Sequence, residues 1–196
     1  MGHSRLFFLL LPLAAIGCAA RSTSTLSLAS GSSPMQLWVR QEGGLINDSR
    51  QQRVEKIARP LLACCHGRPV TLQVFASDQL CAFAWPSGHI FVSRGLIDHL
   101  SDQELAAAIA HELGHLLCDG RLSTMASLCG SGVPNDREVR ADAAGLALLR
   151  EANIPPKAML SMLKKVAAGV DAPAYRQAMQ RRIQIMKLEL ASAAAN

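Results

Sequence analysis

The stretch that most constrains this chain is His111-Glu112-Leu113-Gly114-His115, set inside the apolar run from Leu105 to Leu117. On a helix, residues four apart share a face with Cβ atoms about 5–6 Å apart, so both imidazoles can turn to one zinc ion. Glu112 stands one position round from the first histidine. It is misplaced for a third ligand but well placed to take the proton of a water activated at the metal. Ser101 with Glu104 three residues on is a capping box, and Leu105, Ile109, Leu113 and Leu116 repeat at helical spacing. A helix of about four to five turns is predicted, closed by Asp119-Gly120. Two histidines and a carboxylate on a buried helix need partners, and a metal supplies them more easily than a dry core does.

The 196 residues suit a leader segment plus one domain. Ala and Leu abound and aromatic residues make up only 4%, which favours a helical protein over a sandwich or barrel. The net charge of +5 is scattered, and no nucleic-acid module is visible, so no nucleic-acid partner is expected.

Met1 to Arg5 carries positive charge, and Leu6 to Ile16 is an apolar run too short for a mature membrane span but the size of a secretory signal core. Ala15-Ile16-Gly17-Cys18 resembles a bacterial lipobox, with Ala15 in place of the usual leucine; ordinary cleavage near Ala19 or Ala20 is the alternative. The expected organisation is a lipoprotein-type signal over 1–17, lipidation at Cys18, a Ser/Thr/Gly-rich tether over 18–34 and one domain over 35–196. Export implies an oxidising compartment, and one of the adjacent Cys64 and Cys65 is expected to bridge Cys118 or Cys129. With Cys81 there are five cysteines after Cys18, and five cannot all pair within one chain.

Along the domain, Asn47-Asp48-Ser49 reads as a cap for a helix over 50–64, with Val54, Ile57, Leu61 and Leu62 inward. Residues 69–76 read as a strand. Residues 81–84 and 89–93 flank Trp85-Pro86-Ser87-Gly88 as a hairpin, whose His89, Ile90 and Phe91 are expected to offer an edge to an extended substrate. A short helix follows at Arg94. Beyond the motif helix comes a loop through Gly130, Gly132 and Pro134, then a helix capped by Asn135 or Asp136 and ended by Asn153-Ile154-Pro155-Pro156. Two further helices are expected over 157–170 and 174–190. Together these make an α+β, mostly helical, zincin-like domain with a small antiparallel sheet.

Two histidines leave zinc short of three protein ligands. Glu138 is the candidate third, with Asp142 one turn on to accept the free ring N–H of a ligating histidine. An ordinary acidic first turn reads the same way.

Three blocks in order, 82–92, 104–115 and Glu138-Val139-Arg140-Ala141-Asp142, resemble the HtpX-type and CAAX-prenyl-protease-type zinc metallopeptidases, which are gluzincins. The resemblance covers roughly Leu72 to Ile154. It implies one zinc per chain held by His111, His115 and Glu138, with Asp142 behind the ligands and Glu112 as general base for hydrolysis of polypeptides. Such a protein would be a zinc endopeptidase of the cell envelope, lipid-anchored on the periplasmic side of a bacterial membrane and acting on misfolded or damaged proteins. The alternative is a zinc-containing, chaperone-like or binding lipoprotein with little turnover. Two departures stand out. The family usually has Asn where Cys81 stands, and commonly His-Pro before a C-terminal Arg-containing helix, where this chain has Asp171-Ala172-Pro173 and no histidine after His115. The oxyanion-stabilising group is therefore open among Arg182, Arg181 and Tyr175, with Arg182 preferred.

Overall fold

A computed structural model describes residues 34–65, 69–85, 87–118, 137–169 and 173–195. The expected signal over 1–17, Cys18 and the tether up to residue 33 lie outside these, as do Asp119-Gly120, the loop with Gly130, Gly132 and Pro134, and the caps Asn135 and Asp136. Pro34 instead opens helix α1, Pro34–Gln41. Strand β1, Leu45–Ile46, and helix α2, Ser49–Cys64, follow. As expected, Asp48 caps α2, its side chain accepting from the Arg50 N–H. Val54, Ala58, Leu61 and Cys64 form the buried stripe of α2.

Three strands follow: β2, Thr71–Phe75, β3, Ala82–Trp85, and β4, His89–Ser93. Helix α3, Arg94–His99, leads to α4, Asp102–Cys118, which carries the motif. Helices α5, Arg137–Glu151, α6, Lys157–Ala168, and α7, Pro173–Ala195, complete the described chain. The architecture is α+β and mostly helical. Among the described residues no helix is long and apolar enough to cross a membrane.

The sheet runs β1-β2-β4-β3 and is mixed rather than antiparallel. The hairpin pairs β3 with β4, Ala82 opposite Val92 and Trp85 opposite His89, while β2 joins β4 in parallel, Thr71 opposite His89. β4 is thus an interior strand with neighbours on both sides. His89, Ile90 and Phe91 cannot present an edge, because their backbone groups already pair with β2 and β3; among the described residues the open edge belongs to β3. The opposite edge of the sheet is closed. β1 pairs with its end, and the Gln51 side-chain amide acts as a substitute strand, donating to the Leu72 carbonyl at 3.0 Å and accepting from the Val74 N–H at 3.0 Å.

Helix α4 starts at the expected capping box: Glu104 Oε2 accepts from the Ser101 N–H at 2.8 Å, and Ser101 Oγ accepts from the Glu104 N–H at 3.4 Å. Every residue from Glu104 to Leu117 is buried. Its apolar members, at roughly 1.5–3 kcal/mol for each large side chain, form the centre of the core against α2, α5 and α6. Helix α5 ends on Asn153, whose φ of 56° lets Asn153 and Ile154 donate back to the Arg150 and Leu149 carbonyls.

The disulfide expectation is corrected. Cys64 and Cys65 are free thiols; Cys64 sits in the last turn of α2 with its thiol donating back to the Pro60 carbonyl at 3.3 Å. Cys118 is disulfide-bonded, and since Cys81 is also free its partner lies outside the described residues.

Candidate metal centre

The site is built where α4 and α5 come unusually close. A Cβ on Gly114 would lie 2.4 Å from the Ala141 carbonyl oxygen, and one on Gly145 would lie 2.9 Å from the Ala110 backbone. Hydrogen in place of a side chain lets the two backbones meet at both levels. The consequence is that the first turn of α5 stands beside the two histidines.

His111 Nε2 and His115 Nε2 are 3.2 Å apart, Glu138 Oε2 is 3.3 Å from the first, and Glu138 Oε1 is 3.4 Å from the second. A tetrahedral zinc with bonds of about 2.0–2.1 Å sets its ligand atoms about 3.3–3.4 Å apart. The three donors already stand at that spacing, and they form a group capable of holding a metal ion. The residues present therefore fit zinc. His115 adds to the fit: its buried Nδ1 has no hydrogen-bond partner among the described residues, which leaves Nε2 as the atom that makes its contacts.

Behind the triangle lies Asp142, where the sequence put it. Its Oδ1 is 2.8 Å from His111 Nδ1, the arrangement in which the ring N–H donates to the carboxylate and Nε2 keeps its lone pair. Arg182 of α7 grips the same carboxylate, Nε donating to Oδ2 and Nη2 to Oδ1, both at 2.7 Å. Its Nη1 donates to Glu138 Oε2 at 3.1 Å. One buried guanidinium thus ties a ligand carboxylate to the carboxylate that orients another ligand.

Electrostatics follow the contacts. Burial pushes the Asp142 carboxyl up, but the charges of Arg182 and His111 outweigh it and hold the group below its ordinary value. For Glu138, burial is outweighed by hydrogen bonds from both imidazoles, and its carboxyl falls far below the usual range. Burial and the Arg182 charge press the His111 imidazolium down, yet Asp142 and Glu138 raise it to about 9. Burial opposes the charge on Arg182 too, and Asp142 raises its pKa regardless.

Glu112 is buried beside the pair and makes no hydrogen bond or ion pair among the described residues. Half-buried Tyr175 lies within electrostatic reach of Arg182, Glu138, Glu112 and Asp142, and burial raises its phenol. Arg181 is exposed on α7. Cys81, the expected departure, has its thiol pushed up to about 11 by burial. Its backbone is fixed by Ser93 instead: the Cys81 N–H donates to Ser93 Oγ at 3.2 Å, and the Cys81 carbonyl accepts from the Ser93 N–H at 3.0 Å.

Sequence reasoning placed five of these residues together but missed the work of Arg182. The available signal was an arginine between Met179 and Met186 on the buried stripe of α7, where an unpaired charge is not tolerated.

Residues 46–130 match Peptidase family M48. Over 70 residues, 36% of this chain and 28% of the relative, the sequence is 37% identical to Metalloprotease LoiP of Escherichia coli (strain K12). Over 74 residues, 38% of the chain and 29% of the relative, it is 34% identical to Metalloprotease YcaL of the same organism. The chain spans under a third of the length of either relative. Both relatives are metalloproteases, and the family match is to a peptidase family. The family match includes the motif helix but stops short of Glu138, Asp142 and Arg182, whose place at the site rests on the geometry.

Proposed function

We propose that this chain is a zinc endopeptidase in which His111, His115 and Glu138 hold one zinc ion and Glu112 is the general base. The observation that carries the reading is a donor triangle of zinc size beside a buried carboxylate that no described residue engages. Zinc bound there supplies Lewis acidity, bringing the pKa of a water to about 7 and polarising the scissile carbonyl. Glu112 takes the proton of the attacking water and passes it to the leaving amine. Asp142 holds His111 in the ligating tautomer, and Arg182 positions Asp142 and Glu138. With its donors on those two carboxylates, Arg182 acts from behind the ligands rather than on the oxyanion. Tyr175, within reach of both Glu112 and Glu138, is the better placed candidate for that role.

The substrate enters as an extended strand on β3. The Cys81 carbonyl accepts from β4, so by alternation Phe83 and Trp85 also pair inward while Ala82 and Ala84 aim their N–H and C=O groups outward. Among the described residues nothing occupies that edge, and β3 lies against α4. A guest strand paired there would pass beside the site.

The leader pattern supports export and a lipid anchor at Cys18, placing the domain on the periplasmic side of a bacterial membrane, where misfolded or damaged proteins are the substrates. The reading is of an enzyme of the HtpX and CAAX-protease kind. Its test is cleavage of an unfolded protein by zinc-loaded wild type and by Glu112→Gln at equal zinc content. Hydrolysis by the first and loss of at least about a thousandfold in the second is expected. Substantial hydrolysis by Glu112→Gln would sink the assignment of the base. Client binding with no hydrolysis by either protein would favour the binding-lipoprotein alternative.

A further inference from the structure

We propose that the outer face of β3 selects substrates carrying large apolar side chains, aromatic ones above all, at alternate positions of the bound strand. The proposal rests on the peptidase reading only in naming the guest a substrate. Its starting point is distribution. The described part of this aromatic-poor chain holds six Phe, Trp and Tyr residues, and five of them, Trp38, Phe75, Phe83, Trp85 and Phe91, gather on the face of the sheet turned away from α4.

Within that group Phe75 and Phe91 are fully buried, as an ordinary core requires. Phe83 and Trp85 are not. They stay half-exposed although Trp38 of α1 meets Phe83 edge-on at 4.4 Å, and Phe83 and Trp85 lie 6.4 Å apart. Both belong to the strand whose outer backbone edge is open among the described residues. On its other face the same strand carries only Ala82 and Ala84, packed toward the main core under α4.

A strand added to that edge must alternate in step with β3. Guest residues opposite Ala82 and Ala84 then lie on the α4 side, where two methyl groups leave room for the guest backbone near Glu112. Guest residues opposite Phe83 and Trp85 lie on the outer side, with Cβ atoms about 4.5–5.5 Å from those of the rings' own residues. The rim of half-exposed aromatic surface rewards bulk and apolarity there and nothing else. A segment with apolar residues two apart is the pattern of a half-buried β-strand. The substrate class is therefore a strand segment of a polypeptide that has lost the partner sheet or core that covered it.

The test uses zinc-loaded Glu112→Gln protein and two short peptides of identical composition, one with Phe at alternate positions among Ser and Thr, the other with Phe every third position. Trp38 and Trp85 are the only tryptophans of the chain, so their emission reports binding at this face. The alternating peptide is expected to bind about fivefold more tightly with a blue shift. In the Trp85→Thr form, followed through Trp38, the ratio should fall toward one. Equal affinities in the parent, or a preference that Trp85→Thr leaves intact, would overturn the proposal. A binding preference with no hydrolysis by wild-type protein would overturn the peptidase reading and leave this one standing; hydrolysis without a preference would do the reverse.

Discussion

At the residue scale the candidate centre is a chain of obligations. The buried His111 ring needs an acceptor and has Asp142; the buried Asp142 charge needs a cation and has Arg182; Arg182 has a donor to spare for Glu138. Each partner is required because a charge left unpaired in such a place costs several kcal/mol. Asp142→Asn keeps the shape and removes the charge. Zinc affinity, read by competition with a chelator, should fall about 10- to 100-fold. The apo protein should also lose stability, since Arg182 is left partly uncompensated. An unchanged zinc affinity would show that Asp142 plays no part in orienting His111. The sequence revealed His111, Glu112 and His115 because spacing on one helix is local information. Arg182 was harder to assign: which carboxylate a buried arginine meets depends on how α7 crosses α5, and no local pattern encodes that.

At the element scale the decisive contact is α4 on α5, and Gly114 is what permits it. Gly114→Ala would drive a methyl group into the Ala141 carbonyl and push α5 outward. Expected are loss of stoichiometric zinc and a melting midpoint lower by at least about 5 °C, both measurable on the purified variant. The start of α4 has a second anchor. Glu104 accepts from Ser101, from Ser161 Oγ at 2.6 Å and from Lys165 Nζ at 2.7 Å, stapling α4 to α6. Burial pushes the Glu104 carboxyl up, and these bonds outweigh it, holding the group at about 2 against an ordinary value of 4.5. A depressed carboxyl contributes stability that is fully present above pH 4.5 and is lost as pH falls through 2. Wild type should therefore exceed Glu104→Gln by about 2 kcal/mol near neutral pH, with the difference closing in that window. Thermal unfolding of both proteins across the range checks it, and a pH-independent difference would contradict it. The capping box at Ser101 was legible in the sequence; its extension to Ser161 and Lys165, some sixty residues on, was not.

At the scale of the whole molecule, helices and strands with strong periodicity were readable: α2, β2, the hairpin, and α4 through α7 stand where the pattern placed them. What periodicity does not carry is pairing. Nothing in residues 71–75 says that β2 joins β4 in parallel, and that one pairing moved the free edge from His89, Ile90 and Phe91 to Ala82–Trp85. The two-residue β1 and the eight-residue α1 were too short to give a periodic signal, yet α1 supplies Trp38 to the aromatic face. The central claim spans this whole arrangement: residues from two helices, brought together by the fold, hold one zinc ion. Native mass spectrometry of the purified protein with added zinc tests it most directly, with Glu138→Ala and Glu112→Gln beside it. The account predicts one zinc per chain in wild type and in Glu112→Gln, and its loss or severe weakening in Glu138→Ala. Full zinc occupancy in Glu138→Ala at unchanged affinity, or none in wild type, would contradict it.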